Sequence, residues 1–168
     1  DAGWGREEAL RCCYENSRDN ARTPMQWTDD ENAGFTDGMP WLAMNPNYRQ
    51  INVREQEART DSVLVYYRRL VHLRKADAYR ETFTYGIFEP AYQEMADVFA
   101  YYRVSGESGQ RILVAANFGT DAVSLPLAYS CRQVLLSNLR AESAVETACE
   151  KANALTLESC EVAVIELG

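Results

Sequence analysis

The sequence predicts a mainly β protein with some helix, in which two helices and a long loop precede an antiparallel β-sandwich. Three observations support this fold class. Apolar residues recur at helical spacing in two segments before residue 79, and seven short strand-like segments follow at close spacing. The length of 168 residues allows one average domain or two small pieces. We therefore expect two domains, residues 1–79 and residues 80–168.

Two segments are predicted to be helices. The first, Glu7–Glu15, has an acidic first turn that suits the positive end of a helix dipole. The second, Asp61–Lys75, can be capped by Thr60 or Asp61 and ends in two cations, which favour a helix C-terminus. Its apolar stripe consists of Val63, Tyr66, Tyr67, Leu70 and Leu73. The single histidine, His72, lies off that stripe and is interpreted as a surface or boundary residue.

A loop of about 45 residues, from Asn16 to about Thr60, separates the two helices. Prolines and glycines interrupt it repeatedly, and its segments TDDENAG and TDG have the composition of turns. Loops of this length are uncommon in compact domains and are usually functional or disordered. Aromatic residues interleaved through the loop argue against disorder, and we expect Trp27, Phe35 and Trp41 to serve in packing. The loop is therefore expected to be functional.

Seven strands are predicted in the second domain: Thr82–Glu89, Val98–Val104, Arg111–Phe118, Ala122–Leu125, Gln133–Ser137, Ala154–Leu157 and Glu161–Leu167. The segment SGESG, Ser105–Gly109, is typical of a hairpin loop between the second and third strands. The last strand is apolar on both faces over most of its length, which indicates a central or doubly covered strand. The segment Asn138–Asn153 could be a loop or a helical turn.

The charge balance argues against two classes of partner. The formal net charge is −8 and the sequence pI is about 4.7. Nucleic acids and anionic membrane surfaces both need clustered Lys and Arg, so we expect neither as a partner, whereas neutral ligands remain compatible. No apolar run approaches the roughly 20 residues that span a bilayer, and no signal peptide is predicted. The sequence begins DAGWG without Met, so we expect part of a longer protein.

The cysteines predict no metal site. The chain has five: Cys12, Cys13, Cys131, Cys149 and Cys160. Their number is odd, two are adjacent, and no spacing resembles a metal-ligand pair. We expect free thiols in a reducing compartment, hence a cytoplasmic location, with no metal and no cofactor. A redox or catalytic thiol is the less favoured alternative, because only His72 could serve as its base.

The sequence lacks the signatures of a self-sufficient active site, so no catalytic residue is assigned. It has no glycine-rich phosphate-binding loop, no G-x-S-x-G elbow, and a single histidine for any Ser-His-Asp triad. Glycosidase chemistry needs two facing carboxylates. The loop offers Asp19 and the adjacent acids Asp29, Asp30 and Glu31. Because adjacent acids point in different directions, we interpret this cluster as a solvated face, with a weakly held hydrated cation as the alternative.

Arg22 is the strongest candidate for a functional residue. It precedes Thr23 and Pro24. Proline restricts its predecessor to extended conformations, and threonine is stiff at its first side-chain torsion. A guanidinium group presents five donors in a fixed fork, which suits a carboxylate or the hydroxyl groups of a sugar. The alternative is that Arg22 pairs with Asp19 or with loop carbonyls and only braces the loop.

Three consecutive motifs resemble a known family. SRDNARTPMQW (Ser17–Trp27), NAGFTDGMPWL (Asn32–Leu42) and NPNYRQINV (Asn45–Val53) resemble segments after the eighth barrel strand of α-glucosidases in the α-amylase superfamily. The group includes oligo-1,6-glucosidase, dextran glucosidase and trehalose-6-phosphate hydrolase. The second predicted helix is similar to that family's eighth barrel helix, and FAYYRV and ILVAANF resemble early strands of its C-terminal β-sandwich. The resemblance is dense over residues 17–75, moderate to Phe118 and faint beyond it.

The resemblance implies that this chain is the C-terminal portion of a larger enzyme. In the family, a (β/α)₈ barrel carries the nucleophile Asp, the acid/base Glu and a stabilising Asp, all on strands that would precede this sequence. Residues 1–79 would then be the last loop and helix of the barrel, and residues 80–168 the sandwich. Barrel active sites are built from loops at the C-terminal ends of the strands, so the long loop would line the active site.

The resemblance also assigns roles to individual residues. Arg22 matches an arginine expected to line the subsite for the terminal glucose. Arg18 is a second substrate-binding candidate, with a structural salt bridge as the alternative. Asp19 and Asn20 are expected to hold the loop by turn-type hydrogen bonds. Trp41 could stack on a sugar instead of packing.

The implied reaction is retaining hydrolysis of α-glucosidic bonds, α-1,6 in short oligosaccharides, through a covalent glucosyl-enzyme. The implied partners are an α-glucoside oligosaccharide and the N-terminal barrel of the same chain, and the isolated chain would be inactive. The alternatives are a stand-alone carbohydrate-binding module or a purely structural module. A binding module usually needs an exposed aromatic platform, and the second helix would be surplus in it.

Overall fold

The computed structural model of the chain describes residues 3–140 and 154–168, apart from the side chain of Asn20. The chain folds into two compact units, which we call the N-terminal unit (Asp1–Val65) and the β unit (Tyr66–Gly168). The division into domains at 1–79 and 80–168 stays a prediction. Most of the segment 138–153, predicted as a loop or helical turn, lies outside the described residues.

The N-terminal unit begins with helix α1 (Arg6–Asn16), which confirms the first predicted helix. Glu7 and Glu8 lie in its first turn, as the helix dipole favours. Within the described residues α1 buries none of its side chains, and Leu10 and Tyr14 remain exposed. The apolar face of α1 therefore has no cover among these residues.

The long loop contains three short 3₁₀ turns, at Asp19–Ala21, Glu31–Gly34 and Pro46–Arg49, and a short helix α2 (Val53–Glu57) that the sequence analysis missed. Asn52 begins α2. Its side-chain oxygen accepts from the Glu55 N–H (2.9 Å), and its amide nitrogen donates to the Tyr48 carbonyl (2.9 Å). Asn52 is buried, so these two hydrogen bonds replace the water that its amide gives up.

Helix α3 (Val63–Lys75) confirms the second predicted helix, but its predicted caps are wrong. Ser62 Oγ accepts from the Val65 N–H (3.2 Å), and the Gln56 side chain accepts from the Leu64 N–H (3.0 Å). The Asp61 carboxylate instead accepts two hydrogen bonds from Arg59, at 3.0 and 3.1 Å. Because the Asp61 side chain pairs with Arg59, the hydroxyl group of Ser62 caps the helix in its place.

The β unit contains a helix, α4 (Asp77–Tyr85), where the sequence predicted that a strand begins at Thr82. Thr82 and Phe83 are buried, and their β propensity is overridden by this packing. Arg103 donates to the carbonyls of Thr82 (3.4 Å) and Phe83 (3.2 Å) at the end of α4, where a cation is favourable. At Gly86 a Cβ would lie 2.4 Å from the Thr82 carbonyl oxygen, so the chain leaves the helix through a glycine.

Among the described residues, seven strands follow: β1 (Ile87–Ala91), β2 (Val98–Val104), β3 (Arg111–Asn117), β4 (Val123–Pro126), β5 (Cys131–Ser137), β6 (Ala154–Leu157) and β7 (Val162–Leu167). Apart from the first, they confirm the predicted strands to within about two residues at each end. A five-stranded antiparallel sheet has the order β1-β2-β3-β7-β5, and β4 pairs with β6. The β5–β7 register shifts twice, between Cys131 and Gln133 and between Val134 and Leu136. Ser105 Oγ accepts from the N–H groups of Glu107 and Ser108 in the predicted hairpin loop.

Two apolar cores cover the two faces of the five-stranded sheet. One core joins the sheet to β4 and β6, through residues that include Leu113, Leu125, Leu157 and Ile165. On the other face α3 and α4 cover a second core, which includes Tyr66, Leu70, Phe83, Ile112 and Val164. Strand β7 contributes to both cores, which confirms the prediction that the last strand is doubly covered.

Glu161 is a fully buried carboxylate at the turn before β7. It accepts from Arg140 (2.6 and 3.1 Å), from the Ser137 hydroxyl (2.8 Å) and from the Glu158 N–H (2.9 Å). Burial acts to raise the pKa of Glu161, but these hydrogen bonds and the Arg140 charge outweigh it and hold the pKa below its ordinary value. The carboxylate is therefore ionised and fully hydrogen-bonded.

The thiols do not all follow the sequence prediction. Cys12, Cys13 and Cys160 are free, as predicted, but Cys131 is disulfide-bonded, so the expectation of free thiols is wrong there. Cys149 lies outside the described residues. None of the helices that the structure describes is long and apolar enough to cross a membrane.

Candidate functional site

Arg22 lies at the end of the 3₁₀ turn Asp19–Ala21 with its side chain exposed. Its backbone N–H donates to the Asp19 carbonyl (2.9 Å), so the turn fixes its backbone. Its guanidinium group makes no hydrogen bond or ion pair with residues 3–140 or 154–168. In particular, the guanidinium does not pair with the Asp19 carboxylate, as it would if Arg22 only braced the loop. All five guanidinium donors are therefore available to a ligand or to a carboxylate elsewhere.

Arg18 is also exposed, at the start of the same turn. In the described part of the chain its side chain has no ion pair, so the alternative of a structural salt bridge has no partner there. The predicted turn bonds of Asp19 are made by its backbone: its carbonyl accepts from Arg22, and its N–H donates to Ser17 Oγ (3.3 Å). The side chain of Asn20 lies outside the described residues.

A polar side chain holds the loop four residues after Arg22. The Gln26 amide nitrogen donates to the Ile51 carbonyl (2.5 Å) and to Asn47 Oδ1 (3.0 Å). Pro24, between Arg22 and Gln26, is buried. The segment that carries Arg22 is thus tied through one carboxamide to the segment that precedes α2.

Backbone hydrogen bonds continue this attachment. The Val53 N–H donates to the Gln26 carbonyl (2.9 Å), and the Arg54 N–H donates to the Trp27 carbonyl (3.0 Å). The Trp27 N–H donates in turn to the carbonyl of Ala33 (2.9 Å). Residues 26–27 are therefore held on both sides, by α2 and by the turn that follows.

The acidic cluster is exposed, as its interpretation as a solvated face predicts, and two of its members also pair with an arginine. Arg54 Nη1 lies 2.9 Å from Asp29 Oδ1, and Arg54 Nη2 lies 2.8 Å from Asp30 Oδ2. The Thr28 hydroxyl also donates to Asp30 (2.8 Å). The hydrogen bond from Thr28, together with Arg54, holds the pKa of Asp30 below its ordinary value. These groups are exposed, so the pair orients the loop more than it stabilises the fold.

Three successive residues between Asp30 and Phe35 adopt left-handed backbone conformations: Asn32 (φ 49°), Ala33 (φ 54°) and Gly34 (φ 64°). This conformation costs an alanine about 1 kcal/mol. A Cβ at Gly34 would lie 2.7 Å from Thr28 Oγ1, so this position requires glycine for both its φ and its space. The Asn32 amide donates to the carbonyls of Thr36 (3.2 Å) and Gly38 (3.0 Å) and closes the turn. Strain of this kind clusters at functional sites.

The aromatic residues of the loop find little to pack against among the described residues. Trp27 and Phe35 are each about half exposed, and Trp41 is 91% exposed. Met39, next to them in sequence, is 98% exposed. The packing role expected for the aromatics is therefore met in part by Trp27 and Phe35, and among the described residues it is not met by Trp41.

Sequence reasoning missed Gln26, Asn52 and Arg54. One signal was present, since Asn52 followed by Glu55 has the spacing of a helix N-cap and predicts the start of α2. No local signal identifies the other two. Gln26 meets Ile51 at a separation of 25 positions, and Arg54 meets Asp29 at the same separation.

In the part of the chain that the structure describes, the candidate site is the unpaired guanidinium group of Arg22 on an anchored loop. Within residues 3–140 and 154–168, no group of three His, Cys, Asp or Glu side chains is placed to hold a metal ion. An unpaired guanidinium can bind hydroxyl groups or orient a carboxylate, but it does not cleave a glycosidic bond.

A comparison with protein families identifies the family of this chain. Residues 2–86, half of the chain, match the model of the α-amylase catalytic domain. The chain therefore belongs to the α-amylase family, which confirms the resemblance of its loop motifs.

The chain is similar to several glucosidases. It is 39% identical to the oligo-1,6-glucosidase of Bacillus cereus over 82% of this chain and 24% of that protein. It is 41% identical to the glucan 1,6-α-glucosidase of Streptococcus pneumoniae over 83% of this chain and 25% of that protein. Among solved structures, the isomaltulose synthase of Klebsiella sp. LX3 superposes with a TM-score of 0.81 at 33% identity, over 98% of this chain and 28% of that one. The chain thus spans about a quarter of the length of the curated relatives it matches.

Proposed function

We propose that this chain is the C-terminal portion of a retaining α-glucosidase that hydrolyses α-1,6-glucosidic bonds in short oligosaccharides. Residues 1–79 would complete its (β/α)₈ barrel, and residues 80–168 would form its C-terminal β-sandwich. The catalytic-domain match to residues 2–86 and the relatives named as 1,6-glucosidases support this proposal.

The single observation that carries the proposal is the unpaired guanidinium of Arg22 on a pinned loop. Its backbone is fixed by a 3₁₀ turn before it and by the Gln26 anchor after it, while its donors are free among the described residues. Because the backbone at Arg22 is already fixed, binding a sugar hydroxyl or a catalytic carboxylate has to order only the side chain. Arg22 would line the subsite for the terminal glucose, and Arg18 would be a second contact.

The N-terminal barrel of the same protein is the second proposed partner. Val63 is 78% exposed and Tyr67 is 63% exposed on α3, although both belong to its predicted apolar stripe. On the β unit, the rings of Phe88 and Tyr101 lie 4.9 Å apart, and Phe88 is about half exposed. Exposed apolar side chains on each of the two units are typical of interfaces, and the barrel would cover them.

A stand-alone carbohydrate-binding module and a purely structural module are less well supported. The family match covers a catalytic domain, and neither alternative explains a loop anchored around a free arginine. The cytoplasmic location stays a prediction. The disulfide at Cys131 weighs against it, since disulfides are rare in reducing compartments.

The test uses the full-length protein that contains this chain and an aryl α-glucoside as substrate. Arg22→Ala should lower kcat/KM about 10- to 100-fold, the range expected when a charged group loses its hydrogen bonds to the substrate. Its melting temperature should not change, because the side chain is exposed and unpaired among the described residues. Arg49→Ala, which removes an exposed cation from the same loop, is the matched control and should leave kcat/KM unchanged.

Two results would contradict the proposal. Full activity of Arg22→Ala would exclude a role for Arg22 in the sugar subsite. Turnover by this 168-residue chain alone would show that it holds its own catalytic carboxylates.

A further inference from the structure

Gln26 connects two distant parts of the N-terminal unit through its side chain. Its amide nitrogen donates to the Ile51 carbonyl, 25 positions away, at 2.5 Å and to Asn47 Oδ1, 21 positions away, at 3.0 Å. Both partners lie in the segment NPNYRQINV, which leads into α2. Both contacts use the donor end of the carboxamide.

The position of Gln26 in the chain relates it to Arg22. Before Arg22, the 3₁₀ turn fixes the backbone through the Asp19 carbonyl. After Arg22, the side chains of residues 23–25 make no hydrogen bond within the part of the chain that the structure describes. Gln26, four positions after Arg22, is therefore the first residue beyond Arg22 whose side chain makes a hydrogen bond among the described residues.

We propose that Gln26 is a positioning residue, which holds Arg22 where it meets the sugar. The inference rests on the proposed function. Displacing a binding group by about 1 Å can cost roughly 100-fold in rate. The Gln26 carboxamide, together with the backbone hydrogen bonds of residues 26–27, limits displacements of the segment that carries Arg22. Gln26→Glu keeps the shape of the side chain but places a carboxylate, which cannot donate, against two acceptor oxygens.

The kinetic test is a double-mutant cycle in the full-length protein with an aryl α-glucoside. Gln26→Glu should lower kcat/KM at least about tenfold, because Arg22 loses its position. In the background of Arg22→Ala, the same change should lower kcat/KM by less than about twofold, because the two residues act through one guanidinium. Gln50→Glu is the control: Gln50 is exposed on the partner segment and its side chain is unbonded among the described residues, so activity should stay within about twofold.

A second readout does not depend on activity. Amide hydrogen exchange over residues 17–27 should be faster in Gln26→Glu than in the wild type and unchanged in Gln50→Glu. If Gln26→Glu does not fold, Gln26→Met removes the donors without adding a charge, and the same results are expected from it.

The outcomes separate the two proposals. Equal losses from Gln26→Glu in the wild-type and Arg22→Ala backgrounds would overturn the positioning role, because Gln26 would then act independently of Arg22. A wild-type protein without α-glucosidase activity would overturn the proposed function. In that case amide hydrogen exchange over residues 17–27 still tests whether Gln26 anchors the loop. Faster exchange in Gln26→Glu would support the anchoring role, and unchanged exchange would overturn it.

Discussion

Different interactions stabilise the interior of the N-terminal unit and that of the β unit. In the β unit two apolar cores enclose the central strands, and Ile112, Leu113 and Ile165 are fully buried. In the described part of the N-terminal unit, the buried apolar residues are Ala33 and Pro24 alone. Hydrogen bonds and ion pairs, many of them exposed, define the path of its loop.

The contrast shows that different interactions fix the structures of the two units. Apolar burial contributes most of the free energy of folding, and the β unit has it. Polar contacts contribute less, because each replaces a contact with water, but their geometry is specific. The loop around Arg22 therefore has a defined path but buries little apolar surface among the described residues.

The largest expected effect on stability comes from a comparison of the same isoleucine-to-alanine substitution in the two units. Ile165→Ala in β7 should lower the free energy of unfolding by about 3 kcal/mol, because it leaves a cavity in a fully buried position. Ile51→Ala in the loop removes a half-exposed side chain and should change it by less than about 0.5 kcal/mol. Urea denaturation of the full chain measures both. Similar losses from the two variants would contradict the division between the units.

The next effect concerns the buried charge of the β unit. Glu161→Gln should lower the free energy of unfolding by about 2 kcal/mol at neutral pH, because Arg140 loses its charged acceptor. The folded-state pKa of Glu161 is below the ordinary glutamate pKa of 4.5, so its stabilisation is fully present above pH 4.5. It is lost as the pH falls through the folded-state pKa.

Denaturant curves at several pH values test this linkage. The wild type should lose stability below about pH 4.5 more steeply than Glu161→Gln, which has no carboxylate there to titrate. Glu107→Gln, on the exposed hairpin loop, is the control and should follow the wild type. Parallel curves for all three proteins would show that Glu161 contributes nothing to acid unfolding.

A smaller effect is expected at the junction of α4 and β1. Gly86→Ala should lower the free energy of unfolding by about 1–2 kcal/mol, because its methyl group would meet two backbone carbonyls, of Thr82 and Val104, that cannot move aside. Gly106→Ala adds the same methyl group where nothing lies within 4 Å and should be neutral. Thermal unfolding compares the two, and equal melting temperatures would show that the junction adapts.

The smallest effect on stability is expected in the N-terminal unit. Arg54→Ala removes both contacts to Asp29 and Asp30, yet the melting temperature should stay within error because the groups are exposed. The pKa of Asp30, followed by NMR, should rise only part of the way to its ordinary value, because the hydrogen bond from Thr28 remains its largest perturbation. A lower melting temperature would mean that this pair stabilises the whole unit.

How much the sequence predicted also differs between the two units. The strands from β2 to β7 were predicted closely because alternating or continuous apolar runs report burial directly. Helix α4 was missed because Thr82, Phe83 and Tyr85 favour strands, whereas the burial of Thr82 and Phe83 in the folded unit overrides this preference.

The candidate site was predicted in part. Arg22 stands out from its neighbours because Thr23 and Pro24 restrict the backbone, and the family motifs around it were recognisable. Its surroundings were not, because Gln26 and Arg54 meet partners more than 20 positions away, and pairing at such separations leaves no local pattern. Long-range polar contacts need the fold before they can be assigned.

The two borders of the five-stranded sheet have a consequence for solubility. An uncapped border strand offers free backbone groups to a like strand of another molecule and so promotes aggregation. Here β1 carries Pro90, which has no N–H to offer, and β5 is made irregular by its two register shifts. Newly made chains can therefore form this sheet in a crowded cell without serving as templates for one another.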